Sequence, residues 1–284
     1  MILSGKPVAE HITAKASERI EELKAKGIMP KLAVIRVGAR PDDLAYERGI
    51  IKRFEMAGCD YEVFEIPEDC TQEDLDRCID ARNADEKVSG ILLFRPLPKH
   101  LSGNYVRDAI DSDKDIDAMG LFNQASLFAG ISKAYAPCTA QAVMEILHYY
   151  NIDLTGKRAV VVGRSLVIGK PVSLMLIGEN ATVTVCHTKT KDLAGELKAA
   201  DIIVASAGVA KMITSDMVSP GQVIIDVGMN TDENGNLCGD VDYEGVSGIV
   251  DSITPVPGGV GAVTTSVLLK NTVEGAFRIN HDKL

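Results

Sequence analysis

The sequence predicts an α/β protein of two domains, each built on a parallel sheet with helices on its faces. Three observations predict it. The chain has 284 residues, 46% of them hydrophobic and 25% charged, enough for about two cores at roughly 150 residues each. Over the first hundred residues, short β-branched runs alternate with helically periodic segments, the pattern of strands joined by crossover helices. From Arg158 onward a second series of strand-like cores recurs about every 20 residues, the spacing of a doubly wound nucleotide-binding domain.

The elements follow in order. Val8, Ile12, Ala16, Ile20 and Leu23 share one helical face over 8–26, and Gly27 ends the helix. KLAVIRVG (31–38) is a buried strand closing on glycine. A helix runs from Asp42 to Gly58, and DYEVFEIP (60–67) is a strand stopped by its proline. Thr71 opens the next helix (71–85) as a capping residue, with Glu73 and Asp74 facing the helix N-terminus. VSGILLF (88–94) is again a buried strand, broken by RPLPKH. A helix over 137–150 has Thr139 as its expected cap. The second series is RAVVVG (158–163), TVTVCH (182–187), DIIVASAG (201–208) and QVIIDVG (222–228), and a last helix spans 265–279.

Composition narrows the function. Thirty Lys and Arg against 40 Asp and Glu give a net charge of −10, which repels phosphate backbones and anionic bilayers, so no nucleic-acid or membrane partner is expected. Disorder, collagen-like repeats and coiled coil are excluded by the apolar share. No apolar run approaches the ~18 residues that would suggest a spanning helix, and the polar N-terminal segment lacks the apolar core of a signal peptide. The six cysteines lack any CxxC pair or metal spacing and read as free thiols of a reducing, cytoplasmic compartment. Asp113, Asp115 and Asp117 alternate like a calcium loop but lack its glycine and later glutamate, so no metal is expected.

The sharpest local signal is VVVGRSLVIGKP (160–171). A buried strand ends at Gly163, where a missing side chain permits a tight turn against a ligand, and Gly169 permits close passage of the helix that follows. The N–H groups at that helix start point at an anion. The pattern is not GxGxxG, since Ser165 takes the middle position and Gly169 lies further on. At the end of the next strand, where an NAD site presents a carboxylate, the chain reads Cys186-His187-Thr188-Lys189. A hydroxyl and a cation there, with Arg164 nearby, favour the 2′-phosphate of NADP over NAD.

GRSLVIGKP, with NATVTVCHTKT (180–190), VIIDVGMN (223–230), GDVDY (239–243) and ITPVPGGVGAVTTSVLLKNT (253–272), closely resembles the methylenetetrahydrofolate dehydrogenase/cyclohydrolase family over essentially the whole chain. The resemblance implies an N-terminal catalytic domain (1–139 plus 265–284), a Rossmann-like NAD(P)-binding domain (140–264) and a folate cleft between them. It also implies a homodimer paired through the Rossmann-like domains. Substrates would be one-carbon derivatives of tetrahydrofolate. Tyr46 and Asp117 would hold the folate, and Pro257, Gly258 and Gly259 would line the cleft near the nicotinamide. Gly163, Arg164, Ser165, Gly169, Thr188 and Lys189 would serve the dinucleotide.

Two departures from the family pattern are chemical. The family places a lysine four residues after the tyrosine of this helix and a glutamine at the end of the third strand. This chain has Ile50 and Phe94 there. Losing one member of a polar pair strands the other, at about 1–3 kcal/mol, whereas replacing both by apolar groups avoids that penalty. The two changes therefore read as coordinated, since every glycine of the ligand loops is retained. Hydride transfer needs positioning and a cofactor that takes electrons. Hydration of the resulting cation needs a titratable group within reach. The expectation is a dehydrogenase whose cyclohydrolase activity is lost or severely reduced, with a separate cyclohydrolase in the same organism. The alternatives are a bifunctional enzyme with another proton carrier and a catalytically silent binding module. Lys52 and Arg53 are poor substitutes for the missing lysine, and Arg95 is expected to point away from the site if the strand stays regular. Smaller departures are Ala118, Ala140, Gln141 and Ala262.

Overall fold

The computed structural model describes residues 1–131 and 134–283. Its elements are α1 (Gly5–Lys24), β1 (Lys31–Val37), α2 (Pro41–Ala57), β2 (Asp60–Ile66), α3 (Gln72–Ala84), β3 (Gly90–Leu93), α4 (Gly103–Ala109), α5 (Leu121–Phe128) and α6 (Cys138–Tyr149), followed by β4 (Arg158–Val162), α7 (Gly169–Gly178), β5 (Thr182–Cys186), α8 (Leu193–Lys198), β6 (Ile202–Ala205) and β7 (Val223–Asp226). The hairpin β8 (Asn230–Thr231) and β9 (Leu237–Cys238), then α9 (Tyr243–Val246), β10 (Ser252–Ile253) and α10 (Val260–Ile279), follow, with short 3-10 turns at Ser215–Met217 and His281–Lys283.

The chain divides into two compact units, one of Glu10–Cys138 with Thr265–Leu284, the other of Met1–Ala9 with Thr139–Thr264. The first holds a parallel sheet in the order β2-β1-β3. Central β1 pairs with β2 from Lys31↔Asp60 to Val37↔Ile66 and with β3 from Leu32↔Gly90 to Ile35↔Leu93. Covered on both faces, it reads as a continuous apolar run. Its one buried charge, Arg36, is answered by Glu47 at 2.8 Å and Glu65 at 3.1 Å. Gly58 closes α2 in the left-handed region at φ 67°, and Thr71 and Asp74 form the capping box of α3.

The second unit is a five-stranded parallel sheet in the order β10-β7-β6-β4-β5. The chain runs from β4 outward to β5, then returns past β4 to β6. The carboxyl ends of β4 and β6 therefore flank the topological switch point, where open α/β sheets bind ligands. Gly163 and Ser206 stand at those two ends.

Several boundaries differ from the sequence reading. α6 begins at Cys138, so Thr139 lies inside the helix it was expected to cap. α10 begins at Val260 rather than 265. Short α4 and α5 and the β8–β9 hairpin fall where no element was expected. Of the cysteines, Cys78 is half-buried and the other five are buried, and all six are free thiols. Among the described residues no helix is long and apolar enough to cross a membrane.

Candidate functional site

The expected site residues fall into two sets, one on each unit. In the first unit, α2 presents Tyr46 and Ile50 one turn apart on the same face, and β3 delivers Phe94, whose N–H still bonds Ile35 O at 3.0 Å. The Tyr46 and Phe94 rings meet at 5.6 Å between centroids, tilted by 36°. Ile50 is 0% exposed and Phe94 6%. The apolar pair is thus packed into the unit. Among the described residues the buried side-chain polar atom without a partner is Nε of Arg82, and none is stranded at Ile50 or Phe94. Burial, with Cys138 and Asp117 nearby, holds the Tyr46 hydroxyl well above its ordinary pKa.

Asp117 is half-buried and doubly held. Its Oδ1 accepts the Cys138 N–H at 2.8 Å, and its Oδ2 lies 3.5 Å from the Arg95 guanidinium. Burial raises its pKa, against the lowering effect of those two partners. The Arg95 contact corrects the expectation that this side chain points away. β3 ends at Leu93, so strand alternation no longer governs Arg95, and Arg40 holds its carbonyl at 3.1 Å. Lys52 is exposed, and Arg53 is drawn off to Thr13 Oγ1 at 3.2 Å. His100 Nε2 meets the Cys70 carbonyl at 3.0 Å in the loop after β3. Asp115 accepts N–H groups from Met119 and Gly120 and the amide of Asn123, a local structural role.

Ala118, where the resemblance has glycine, sits at φ 52°. A Cβ in the left-handed region costs about 1–2 kcal/mol, partly offset by the greater unfolded-state freedom of glycine. Ala118→Gly is expected to raise the unfolding free energy by about 0.5–1 kcal/mol. Urea denaturation checks this, and an unchanged or lower midpoint would contradict the strain.

In the second unit, Gly163 adopts φ 127° and Gly169 opens α7 directly against it. A Cβ on Gly169 would overlap the Gly163 carbonyl and come within 2.8 Å of Arg164 N. Glycine at 169 thus lets the start of α7 pack backbone to backbone on the turn after β4, a glycine cradle of the kind that presents helix-start N–H groups to a pyrophosphate. Ser165 Oγ accepts the Ile168 N–H at 3.1 Å, which leaves its own O–H free to donate outward. Arg164 is exposed beside it. After β5, His187 N–H bonds Thr190 Oγ1 at 2.9 Å and Lys189 N–H bonds His187 Nδ1 at 3.1 Å. This tight turn presents Thr188 and Lys189 to solvent and contains no carboxylate. Pro257 and Gly258 are exposed, with Gly258 at φ 102°, and Gly258 O accepts the Gly5 N–H at 2.8 Å.

Sequence reasoning did not find the Cys138 N–H that seats Asp117, nor Ser206, which packs on Gly163. Both are backbone-mediated contacts between distant positions, and a side-chain motif carries no sign of them.

A doubly wound sheet with a glycine cradle at its switch point, joined in one chain to a separate unit bearing a carboxylate and an aromatic pair, defines a dinucleotide-binding protein with its own substrate-binding unit. Residues 3–117 match the catalytic domain of tetrahydrofolate dehydrogenase/cyclohydrolase, and residues 137–280 its NAD(P)-binding domain. The chain belongs to that family. It is 54% identical over 280 residues to the bifunctional protein FolD of Carboxydothermus hydrogenoformans, covering 98% of each chain. The crystal structure of the bifunctional FolD enzyme from Campylobacter jejuni superposes with a TM-score of 0.96 at 41% identity, over 98% of this chain and 99% of that one. The Trypanosoma brucei dehydrogenase-cyclohydrolase, solved with NADP and an inhibitor, gives 0.93 at 36% identity, over 98% and 97%.

Proposed function

We propose that the protein oxidises 5,10-methylene-tetrahydrofolate to 5,10-methenyl-tetrahydrofolate with NADP and does not go on to hydrate the product. The observation that carries the second half is the burial of Ile50 and Phe94 where an amine and an amide would serve proton transfer. NADP, when bound, accepts the hydride that leaves the methylene carbon. The chain's own residues bind and orient. The Gly163–Gly169 cradle and Ser165 take the pyrophosphate, while Arg164, Thr188 and Lys189 take the ribose phosphate. Asp117 accepts N–H donors of the pterin and sets a negative charge near the cation that develops on the one-carbon bridge. Tyr46, its ring braced on Phe94, offers a face for stacking. Pro257, Gly258 and Gly259 border the nicotinamide.

A bifunctional reading has two observations in its favour: the FolD relatives are bifunctional, and the Arg95–Asp117 pair brings ionisable groups to the site from another position. Guanidinium groups keep their proton at working pH, however, so Arg95 does not serve as the proton carrier. A catalytically silent module is disfavoured because the glycines of the dinucleotide turn, Gly163 and Gly169, are both retained. The protein is further read as a cytoplasmic homodimer joined through the second unit, where edge strand β5 leaves Val185 38% exposed. A separate cyclohydrolase then completes the sequence in the same cell.

Two assays on purified protein test the reading. NADP reduction is expected to require methylene-tetrahydrofolate, and the near-ultraviolet absorbance of methenyl-tetrahydrofolate is expected to fall at the buffer rate. Enzymatic loss of that absorbance would reject the single-activity reading, and no NADP reduction would reject the dehydrogenase.

A further inference from the structure

Behind the glycine cradle the second unit holds two buried carboxylates that binding and hydride transfer do not use. Asp240, just after β9, is 0% exposed. Its Oδ2 accepts the N–H groups of Ala207 at 2.5 Å and Gly208 at 3.0 Å, and its Oδ1 accepts those of Val209 at 3.0 Å and the Asn230 side chain at 2.9 Å. Three successive backbone amides converging on one anion form a nest, an arrangement that elsewhere receives phosphate. Here the anion belongs to the chain.

The segment so held borders the dinucleotide seat. Ser206 follows β6 and is clamped to β4, its N–H and Oγ bonding Val162 O at 2.8 and 3.0 Å. It packs so closely on Gly163 that a Cβ there would meet Ser206 Oγ at 2.6 Å. Residues 206–209 thus form a wall against the turn, tied to β4 at one end and to Asp240 along the rest. Asp240 is itself seated. Its N–H bonds Asp226 Oδ1 at 3.0 Å, the Val241 N–H bonds Asp226 Oδ2 at 2.9 Å, and the Gly228 N–H bonds Asp226 Oδ1 at 2.9 Å. A Cβ on Gly228 would strike the Asp240 carboxylate, and one on Gly239 the Asp226 carboxylate. Burial lifts the Asp226 carboxyl to about 6 despite its three N–H bonds, so this packing is retained against an electrostatic penalty.

We propose that Asp240 is a positioning residue for the dinucleotide: by filling the nest of Ala207, Gly208 and Val209 it fixes the wall that borders the Gly163 turn. The inference rests on the reading of this unit as the NADP seat. Asp240→Asn preserves the shape but turns one accepting oxygen into a donor facing N–H groups. In the ligand-free variant, amide hydrogen exchange at 207–209 is expected to quicken about tenfold or more, the size of effect when buried donors lose their acceptor. Calorimetric NADP affinity is expected to weaken by a similar factor, while the KM for methylene-tetrahydrofolate stays within about twofold. Unchanged exchange and unchanged NADP affinity in a folded variant would overturn the proposal, as would equal losses toward both ligands. Should the variant not fold, Gly208→Ala decides. Its Cβ meets nothing within 4 Å, but its φ of 69° strains the loop alone. Selective loss of NADP affinity supports the proposal there, and wild-type affinity overturns it. Wild-type protein that binds no NADP would overturn the seat and this inference together, a result distinct from an unaffected variant.

Discussion

Wild-type protein is expected to leave 5,10-methenyl-tetrahydrofolate decaying at the buffer rate, and the Ile50→Lys/Phe94→Gln double variant to consume it at least about 100-fold faster. General acid–base help is worth roughly 10²–10⁴-fold, and neither native side chain holds a proton to move. The two substitutions belong together. Ile50 is 0% exposed, so a lone ammonium there is desolvated without a partner, costing several kcal/mol or losing its charge. An amide at position 94 accepts a hydrogen bond from that ammonium. Ile50→Lys alone is therefore expected to lower the melting temperature sharply, with part of the loss recovered in the double variant. The dehydrogenase rate of the double variant should stay within about tenfold of wild type, since loss of the Phe94 brace loosens Tyr46 but leaves the hold of Asp117 and the hydride acceptor in place. Native turnover that vanishes in Arg95→Leu would instead assign the proton step to the Arg95–Asp117 pair, and the coordinated-loss reading would fall.

How much of this was visible in the sequence depends on the range of the forces involved. Gly58 and Thr71 could be read because a left-handed cap and a capping box are local chemistry. The strands β1, β4, β6 and β7 could be read because burial on both faces writes continuous apolar runs. α4 and α5 could not, since seven or eight residues after a proline-broken stretch are too few to show periodicity, and such helices depend on packing. β10 is two residues long, and its pairing with β7 and its bridge to Ile2 make it a strand. At the candidate site, Tyr46 and Asp117 are proposed from motif resemblance. The direction of Arg95 did not, because it depends on where β3 stops. Asp240 was the least legible. In GDVDY it reads as a turn carboxylate, and its three backbone donors lie more than 30 residues upstream.

Gly169→Ala is expected to weaken NADP binding by about 100-fold or more while the protein stays folded. The methyl group would overlap the Gly163 carbonyl and approach its carbonyl carbon to 2.6 Å. Both are backbone atoms at the end of β4, and no rotamer change relieves them. The start of α7 must therefore retreat from the turn by something on the order of 1 Å, a displacement that typically costs about 100-fold when it misplaces a bound group. The same shift pulls the first N–H groups of α7 away from the pyrophosphate they would face, and helix-terminus effects fade within the first turn. Gly178→Ala, at the far end of the same helix, supplies the control. Its Cβ would meet nothing within 4 Å, and alanine there is expected to leave NADP affinity unchanged and to add up to about 1 kcal/mol of stability. Calorimetric titration of both variants with NADP, beside their melting curves, separates loss of the seat from loss of the fold. Wild-type affinity in a folded Gly169→Ala would place the dinucleotide somewhere other than the carboxyl end of β4, because this contact has no slack to absorb a methyl group.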